Sequence, residues 1–440
     1  MRMKFGWALI LVVASLLAFS SCSTTKNAIT GSGIVWVATS GDQMINTYTI
    51  NSTSGAGSHV GSGIASGVQP SAMVMTPDRK TLFVADSGEI RAFSVKTDGT
   101  LAALGSPVPV TPSPSGLAVD PTGKLLFVVS QGNAGALGQP NTVPGTISVF
   151  NISGSAAPTA LPNTPFSSVQ PGDAIGNGPV AVAVAPLSFP CTALINSVST
   201  QETCSSFYVA NQFTNSLSAY DYFVDGSGNF FHGSVASSGV FTIGGTVPNS
   251  PYPTGANPAA LAFSRCAGGK VLNSNCTASD GDNLFVANSG LSNNISIFAA
   301  CIEVAPTCSS PNGQLQAVTG SPVSAGGIGA SSIVVSPQLN FVYVVDTQSN
   351  EISQFKYSPA TGLLTALLPA TISTGNSPVS GGITTDGSIV VVPDSGGSEL
   401  AVFKVSNTTS SSGAAPTGLL TRASTPSITL AGQPTAVIVR

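Results

Sequence analysis

The stretch Leu82-Phe83-Val84-Ala85-Asp86 is apolar up to a final carboxylate, and relatives of it recur along the chain. Each relative is a short apolar run, rich in β-branched and aromatic residues, that in every copy ends on a polar residue. The other six are Val35-Trp36-Val37-Ala38-Thr39, Leu126-Phe127-Val128-Val129-Ser130, Phe207-Tyr208-Val209-Ala210-Asn211, Leu284-Phe285-Val286-Ala287-Asn288, Val342-Tyr343-Val344-Val345-Asp346 and Val390-Val391-Val392-Pro393-Asp394. Such a repeat predicts an array of small β-sheets, and we call these runs the organising strands.

Three further strands accompany each organising strand. The next strand carries an aromatic residue at a constant position: Tyr48, Phe93, Phe150, Tyr220, Phe298, Phe355 and Phe403. A third, more polar strand follows turns such as Asp98-Gly99, and a fourth strand is introduced by Gly or Pro, as at Pro114 and Pro258. Four strands per unit and seven units predict an all-β, seven-bladed β-propeller in which the fourth strand is innermost.

The two ends of this array complement each other. The first organising strand lacks a Pro-initiated strand before it, and the last Pro-initiated strand, Gln433 to Val439, lacks an organising strand after it. We therefore expect the N-terminal strand to pair with the C-terminal strand. This pairing closes the ring and removes exposed strand edges.

The first residues are typical of an export signal. Arg2 and Lys4 precede an apolar run from Trp7 to Phe19, and the small residues before Cys22 suit cleavage. We predict a signal peptide at residues 1–22, a lipid on Cys22, a polar tether at 23–32 and the propeller at 33–440. The alternative is an ordinary signal peptide with Cys22 incidental. The predicted location is the cell envelope outside the cytoplasm, as an outer-membrane lipoprotein or a secreted protein.

The remaining cysteines fall in three pairs close in sequence. An even number of cysteines in an exported chain favours disulfides. The pairs are Cys191 with Cys204, Cys266 with Cys276, and Cys301 with Cys308. Zinc is the alternative, but the chain has no C-x2-C pair and only two His. All six cysteines lie where the intervals between organising strands are longest, which predicts insertions in blades three to five.

Composition excludes one class of partner. Charged residues make up 7% of the chain and the net charge is −4, so there is no basic surface for nucleic acid.

The turn Pro121-Thr122-Gly123-Lys124, followed by Leu125-Leu126-Phe127-Val128, resembles the lactonase and YVTN families of seven-bladed propellers. The resemblance covers Val35 to Arg440 and implies a fold similar to 6-phosphogluconolactonase, whose enzymatic relatives open sugar-lactone rings. Those relatives often carry a His shortly after the Pro of the innermost strand. The matching positions hold no His; they include Ser71, Ser115, Val180, Ala259 and Val379.

Propeller topology gathers the ends of the organising strands around one opening, which we call the mouth. Asp86, Asp346 and Asp394 are the carboxylates there, accompanied by Thr39, Ser130, Asn211 and Asn288. They are candidates for catalysis or for binding calcium, the one cofactor that such oxygens suggest. The alternative is that these side chains serve the hairpin turns. His232 is a candidate general base or a packed residue.

The sequence supports two functions. The first is an exported, lipid-anchored propeller that acts as a binding or scaffold module for a protein or carbohydrate ligand at the cell envelope. The alternative is a lactonase-family hydrolase that opens a sugar lactone. Whether the chain is an enzyme stays open at this point.

Overall fold

The structure is a computed structural model that describes residues 32–132, 144–154, 156–167, 178–264, 283–290, 293–302, 312–337, 339–406, 417–423 and 427–440. Regular structure in these residues consists of β-strands alone. No helix among them is long and apolar enough to span a membrane.

The strands follow one another blade by blade. The first three blades contain β1 (Ser32–Thr39), β2 (Met44–Asn51), β3 (Gly57–Ala65); β4 (Ala72–Met75), β5 (Thr81–Asp86), β6 (Glu89–Val95), β7 (Leu101–Ala103), β8 (Val108–Pro109); and β9 (Pro114–Val119), β10 (Leu125–Ser130), β11 (Thr146–Asn151), β12 (Thr159–Ala160), β13 (Phe166–Ser167). Blades 4 and 5 contain β14 (Pro179–Ile195), β15 (Val198–Asn211), β16 (Ser216–Val224), β17 (Phe230–Val235), β18 (Val240–Ile243), β19 (Tyr252–Pro253); and β20 (Pro258–Phe263), β21 (Asn283–Asn288), β22 (Asn294–Ala300), β23 (Leu315–Ala317), β24 (Val323–Ser324). Blades 6 and 7 contain β25 (Ala330–Val335), β26 (Phe341–Asp346), β27 (Glu351–Tyr357), β28 (Leu364–Ser373); and β29 (Gly382–Ile383), β30 (Ile389–Asp394), β31 (Glu399–Val405), β32 (Leu420–Arg422), β33 (Ile428–Thr429), followed by β34 (Pro434–Val439).

These strands form seven sheets, as the sequence predicts, and all their strand pairs are antiparallel except β14 with β18, which is parallel. In a typical blade the order runs from the innermost strand through the organising strand to the edge, as in β4-β5-β6-β7. The innermost strands β34, β4, β9, β14, β20, β25 and β29 each contact the innermost strand of the next blade, and β29 contacts β34. The seven blades therefore form a closed ring.

Blade 1 closes this ring with strands from both ends of the propeller. Its order is β3-β2-β1-β34, and β1 pairs antiparallel with β34, with Val35 opposite Val439 and Val37 opposite Val437. The predicted closure is confirmed.

The cores lie between neighbouring blades. Alternate residues of one organising strand face opposite sides of the blade, so Leu126 and Val128 pack with Phe83 of blade 2, whereas Phe127 and Val129 pack with Phe207 of blade 4. Because both faces are buried, the organising strands are apolar throughout rather than alternating.

On three organising strands, a buried Trp or Tyr side chain donates a hydrogen bond to a backbone carbonyl of the next blade. Trp36 Nε1 donates to Gly99 O at 2.8 Å, Tyr208 Oη to Gly313 O at 2.9 Å, and Tyr343 Oη to Gly418 O at 2.6 Å. Each acceptor lies in the turn before the outer strand of the following blade. Buried Trp and Tyr need such partners, so these bonds fix neighbouring blades side by side.

Blade 4 departs from the regular pattern. The insertion predicted in blade 4 is present: residues 189–205 extend β14 and β15, and residues 223–252 contain β17 and β18. Because β14 also pairs with β18 and β15 with β16, strands β14 to β18 close into a small barrel. Its interior is a buried cluster that includes Phe189, Phe223 and Phe241.

A disulfide joins Cys191 to Cys204 inside this cluster, as predicted. Cys301 is also disulfide-bonded, while its predicted partner Cys308 lies outside the described residues. Cys22, Cys266 and Cys276 lie outside them as well. A buried disulfide indicates folding in an oxidising compartment outside the cytoplasm.

Candidate functional site

The mouth is present where the sequence predicts it. The last residue of an organising strand pairs with the first residue of its innermost strand, as Ser130 does with Pro114 and Asp346 does with Ala330. All seven polar end residues are buried, with at most 1% of their surface exposed. The mouth therefore rests on a ring of buried polar side chains.

The residue after the Pro or Ala that opens each innermost segment is the part of this ring that faces outward; in blades 2 and 7 it lies before the strand itself. In five blades a register shift stands at this residue, which is the signature of a β-bulge and re-aims the side chain. The Pro or Ala before it is buried, whereas the residue itself is partly or fully exposed in every blade. The seven residues are Thr435, Ser71, Ser115, Val180, Ala259, Ser331 and Val379. This is the position at which enzymatic relatives were expected to carry His.

A cavity of about 410 Å³ opens at the mouth between blades 2 and 3. Its walls are neutral: Gln69, Pro70, Ser71, Ser87, Ser113, Pro114, Ser115 and Gln131. Two hydroxyls in the wall are already oriented, since Ser71 Oγ donates to Pro114 O at 2.6 Å and Ser115 Oγ donates to Pro179 O at 2.8 Å. We call this cavity the mouth pocket. Its hydroxyl and amide groups suit a ligand rich in hydroxyl groups and without charge.

Asp86 lies directly behind the wall of the mouth pocket. Its carboxylate accepts hydrogen bonds from the backbone N–H groups of Val68 at 2.9 Å, Gln69 at 2.7 Å and Ser87 at 2.6 Å. Arg91 Nε lies 3.9 Å from Asp86 Oδ2. Burial raises the pKa of this carboxyl, but the three N–H donors and the Arg91 charge outweigh burial and hold the pKa below its ordinary value. Asp86 therefore stays ionised and fixes the pocket wall.

Asp346 and Asp394 occupy the same position in blades 6 and 7 but have fewer donors. Ser353 Oγ donates to Asp346 Oδ2 at 2.6 Å, and Gly375 N donates to Asp394 Oδ2 at 3.1 Å. Burial raises the pKa of Asp346 to about 6 and that of Asp394 to about 7, only partly offset by these bonds. The Oδ1 atoms of both residues are buried and make no hydrogen bond within the described residues. These two carboxyls titrate near neutral pH.

The pKa of Asp394 in blade 7 is higher than that of Asp346 in blade 6, and the difference has a local cause. Ser353 stands on the second strand of the blade, and it accepts from Gly326 N at 2.9 Å and Gly327 N at 3.0 Å while it donates to Asp346. The equivalent residue of blade 7 is Ala401, which offers no hydroxyl. In blade 5, Ser296 Oγ accepts from Asn288 Nδ2 at 3.0 Å and from Gly255 N at 3.1 Å. The end residue thus anchors the loop that leads into its innermost strand.

Sequence analysis missed the glycines that make these contacts possible. In five blades a Gly stands three residues before the Pro or Ala that opens the innermost segment. Four of these glycines are among the described residues, and there the loop crosses the buried end residue. A Cβ on Gly67 would lie 1.8 Å from Asp86 Oδ2, and one on Gly375 would lie 2.6 Å from Asp394 Oδ2. Gly255 and Gly327 are the other two. The spacing of Gly before Pro or Ala, repeated with Asp or Asn at the strand end, was the available signal.

The three carboxylates do not form one cluster, since each belongs to a separate blade and bonds to its own loop. No group of three or more His, Cys, Asp or Glu side chains arranged for a metal occurs among the described residues. The calcium site that the sequence suggests therefore stays a prediction.

His232 does not belong to the ring of polar side chains at the mouth. Its ring stacks on Phe166 with ring centres 4.0 Å apart, and it meets the edge of Tyr220 at 5.8 Å. Around it, Tyr222 and Phe230 are buried in the core between blades 3 and 4. The structure places His232 in aromatic packing, not at the mouth.

Comparisons with known proteins agree with this architecture. The chain matches the family model "Lactonase, 7-bladed beta-propeller" over residues 34–167 and 291–417. No match to a curated protein sequence is found.

Several solved structures share the fold along nearly their whole length. A candidate 6-phosphogluconolactonase of Bacteroides fragilis has a TM-score of 0.62 at 18% identity, covering 95% of this chain and 99% of that one. A candidate 6-phosphogluconolactonase of Bacteroides uniformis gives 0.61 at 16%, covering 93% and 100%. The periplasmic gluconolactonase PpgL of Pseudomonas aeruginosa gives 0.60 at 17%, covering 93% and 99%. At these identities the likeness concerns the fold.

Proposed function

Because the chain belongs to the lactonase family of seven-bladed propellers, we propose that it opens the ring of an uncharged sugar lactone bound at the mouth. The observation that carries this proposal is the mouth pocket, whose described walls hold neutral polar groups and no charged side chain. Its volume of about 410 Å³ falls in the range of small-molecule sites, roughly 300–1,000 Å³.

Charge favours a neutral substrate over a phosphorylated one. Asp86 lies behind the pocket wall, and the guanidinium of Arg91 beside it is paired with both Asp86 and Glu89. The sequence of the adjoining segment 133–143 contains no charged residue. A phosphate group at this pocket would therefore lack a cation and would approach a net negative charge.

Ring opening needs a base that activates water for attack on the lactone carbonyl. By its pKa, which burial raises to about 7, Asp394 is the best matched carboxyl, and its Oδ1 has no protein partner among the described residues. It is buried in blade 7, whereas the mouth pocket lies between blades 2 and 3, so it would have to act through a bound water molecule on a substrate that extends beyond the pocket. A buried acceptor of this kind is where a water molecule would be held. Asp346, with a pKa raised to about 6, is the second candidate base. Asp86 is a weak base because its pKa is lowered.

Binding without turnover is the second candidate function. The described walls of the mouth pocket contain no titratable side chain. A ligand in the pocket is therefore separated from the candidate bases, which favours binding over hydrolysis. In that case the chain serves as a binding module for a neutral carbohydrate at the cell envelope. We also propose attachment through a lipid on Cys22, in line with the export signal and with the buried disulfide.

The test combines turnover with a variant that fills the pocket. Ser87→Trp should block the mouth pocket and reduce both the binding of glucono-δ-lactone and its hydrolysis at least tenfold, measured by proton release above the spontaneous rate. Ser289→Trp changes the equivalent position of blade 5 and should leave both unchanged. Asp394→Asn should abolish hydrolysis and retain binding. Binding without hydrolysis in the wild type supports the binding module; unaltered hydrolysis in Ser87→Trp contradicts the proposed site.

A further inference from the structure

The end of the ring opposite the mouth carries a pair of arginines from neighbouring blades. Here the turns that join innermost to organising strands come together. Arg79 lies in the turn between β4 and β5 of blade 2, and Arg440 follows β34 of blade 1. Thr385 lies in the turn between β29 and β30 of blade 7. All three therefore lie around the closure of the ring.

Arg79 reaches past blade 1 to contact blade 7. Its Nη1 donates to Thr385 Oγ1, although the two residues are 306 positions apart in sequence. The backbone of Arg79 adopts φ of 61°, in the left-handed region that side chains other than Gly rarely occupy. Gly123 and Gly387 hold this position in the turns of blades 3 and 7, also with positive φ, so the conformation belongs to the turn.

The main chain of Arg440 lies near the same blade-7 turn. A Cβ on Gly33 would lie 2.7 Å from Thr384 Cγ2 and 3.6 Å from Arg440 O, so the end of β34 and the blade-7 turn converge on Gly33. The Arg440 guanidinium lies 6.0 Å from the centre of the Trp36 ring. Both arginines are partly buried.

Within the described residues neither guanidinium forms an ion pair. The nearby acids have other contacts: Asp78 pairs with Lys80 at 3.7 Å, and Asp386 Oδ1 accepts from Thr384 Oγ1 at 2.6 Å. Burial and the charge of Arg440 lower the pKa of Arg79. Two partly desolvated like charges repel each other, and a bound anion would relieve this cost.

We propose that Arg79, Arg440 and Thr385 form a binding site for a small oxyanion, a phosphate or carboxylate group, at the end of the ring opposite the mouth. Arginine binds such groups through two parallel N–H donors, and the threonine hydroxyl adds a third contact. The site is independent of the proposed lactone reaction. Its occupancy would link blades 7, 1 and 2, so the anion should stabilise the closure of the ring.

The experiment uses the purified mature chain with inorganic phosphate against chloride at equal ionic strength. Phosphate should bind saturably by calorimetry and raise the melting temperature. Arg79→Gln and Arg440→Gln should each weaken phosphate binding at least about tenfold, because each removes charge-assisted donors. Lys80→Gln is the matched control: Lys80 follows Arg79 but is 79% exposed and paired with Asp78, so phosphate binding should persist.

Two further arms keep the test decisive. Thr385→Val retains both guanidiniums and should weaken phosphate binding by a smaller factor, which covers the case in which Arg79→Gln fails to fold. Competition by phosphatidylglycerol vesicles, but not phosphatidylcholine vesicles, would identify a lipid headgroup as the source of the phosphate; no competition would identify a soluble oxyanion. Equal loss in Lys80→Gln, or no difference between phosphate and chloride, would overturn the site.

Discussion

Replacing Asp394 with Asn should stabilise the protein at pH 7.5. At this pH the wild type must ionise a fully buried carboxyl whose Oδ1 has no partner among the described residues. Blades 4 and 5 already carry Asn at the same position, Asn211 and Asn288, so the amide fits this slot. Asn288 Nδ2 donates to Asn294 Oδ1 at 2.8 Å, and Glu399 is the residue of blade 7 that could accept in the same way.

The magnitude follows from the pKa. Burial raises the pKa of Asp394 from 3.8 to about 7, so between these values the fold binds more protons than the unfolded chain. Stability therefore falls as pH rises through this window, and the full cost applies above pH 7. Each pH unit is worth about 1.4 kcal/mol, and local relaxation and water reduce the total to about 1–3 kcal/mol. Asp394→Asn should recover this amount at pH 7.5 and roughly two fifths of it at pH 5, because the cost grows steadily from pH 3.8 upward.

The assay is urea unfolding of wild type, Asp394→Asn and Asp86→Asn between pH 5 and 8. The stability change caused by Asp86→Asn should have the opposite sign, although Asp86 occupies the same position in another blade. Its pKa is lowered by three N–H donors and Arg91 despite burial, so its stabilising contribution is present above the unfolded pKa and lost as pH falls. Asp86→Asn should cost at least about 2 kcal/mol at pH 7.5. Destabilisation by Asp394→Asn at pH 7.5, or an unchanged pH profile, would refute the reasoning.

Three further predictions concern the frame of the ring. Gly67→Ala should destabilise the fold by about 2–4 kcal/mol in thermal unfolding, since φ is +107° and the Cβ would collide with a buried carboxylate; Gly88→Ala, with nothing within 4 Å, should stay within about 0.5 kcal/mol. Tyr343→Phe should cost about 1–2 kcal/mol by leaving the Gly418 carbonyl without its 2.6 Å donor. Cys191→Ser opens a link across 13 residues and should lower the stability of the small barrel by about 3 kcal/mol, seen as faster proteolysis of 189–205 with the propeller intact.

The fold could be predicted from sequence because its determinants repeat. Seven copies of one apolar run fix the number of blades, and the incomplete blades at both ends predict the pairing of β1 with β34. The extension of blade 4 was less accessible. An interval without strong periodicity indicates an insertion, but it does not reveal that β14 and β15 continue through it.

The candidate site shows where such prediction ends. Repetition placed Asp86, Asp346 and Asp394 correctly at the mouth, yet gave them one shared role. Their titration depends on how many donors each loop supplies: three N–H groups for Asp86, one hydroxyl for Asp346 and one N–H for Asp394. The N–H donors come from backbone conformation, which side-chain patterns do not encode. The choice between Ser353 and Ala401 is the part that the sequence does contain.

The most direct test of the proposed function is a comparison of kcat/KM for glucono-δ-lactone and its 6-phosphate, using the mature chain at pH 7.5 with spontaneous hydrolysis subtracted. The neutral mouth pocket predicts turnover of the uncharged lactone, preferred at least about tenfold over the phosphorylated one, because the phosphate meets no cation there. Preference for the phosphorylated lactone, or no turnover of either by a folded protein, would contradict the assignment of the mouth as a site that hydrolyses neutral sugar lactones.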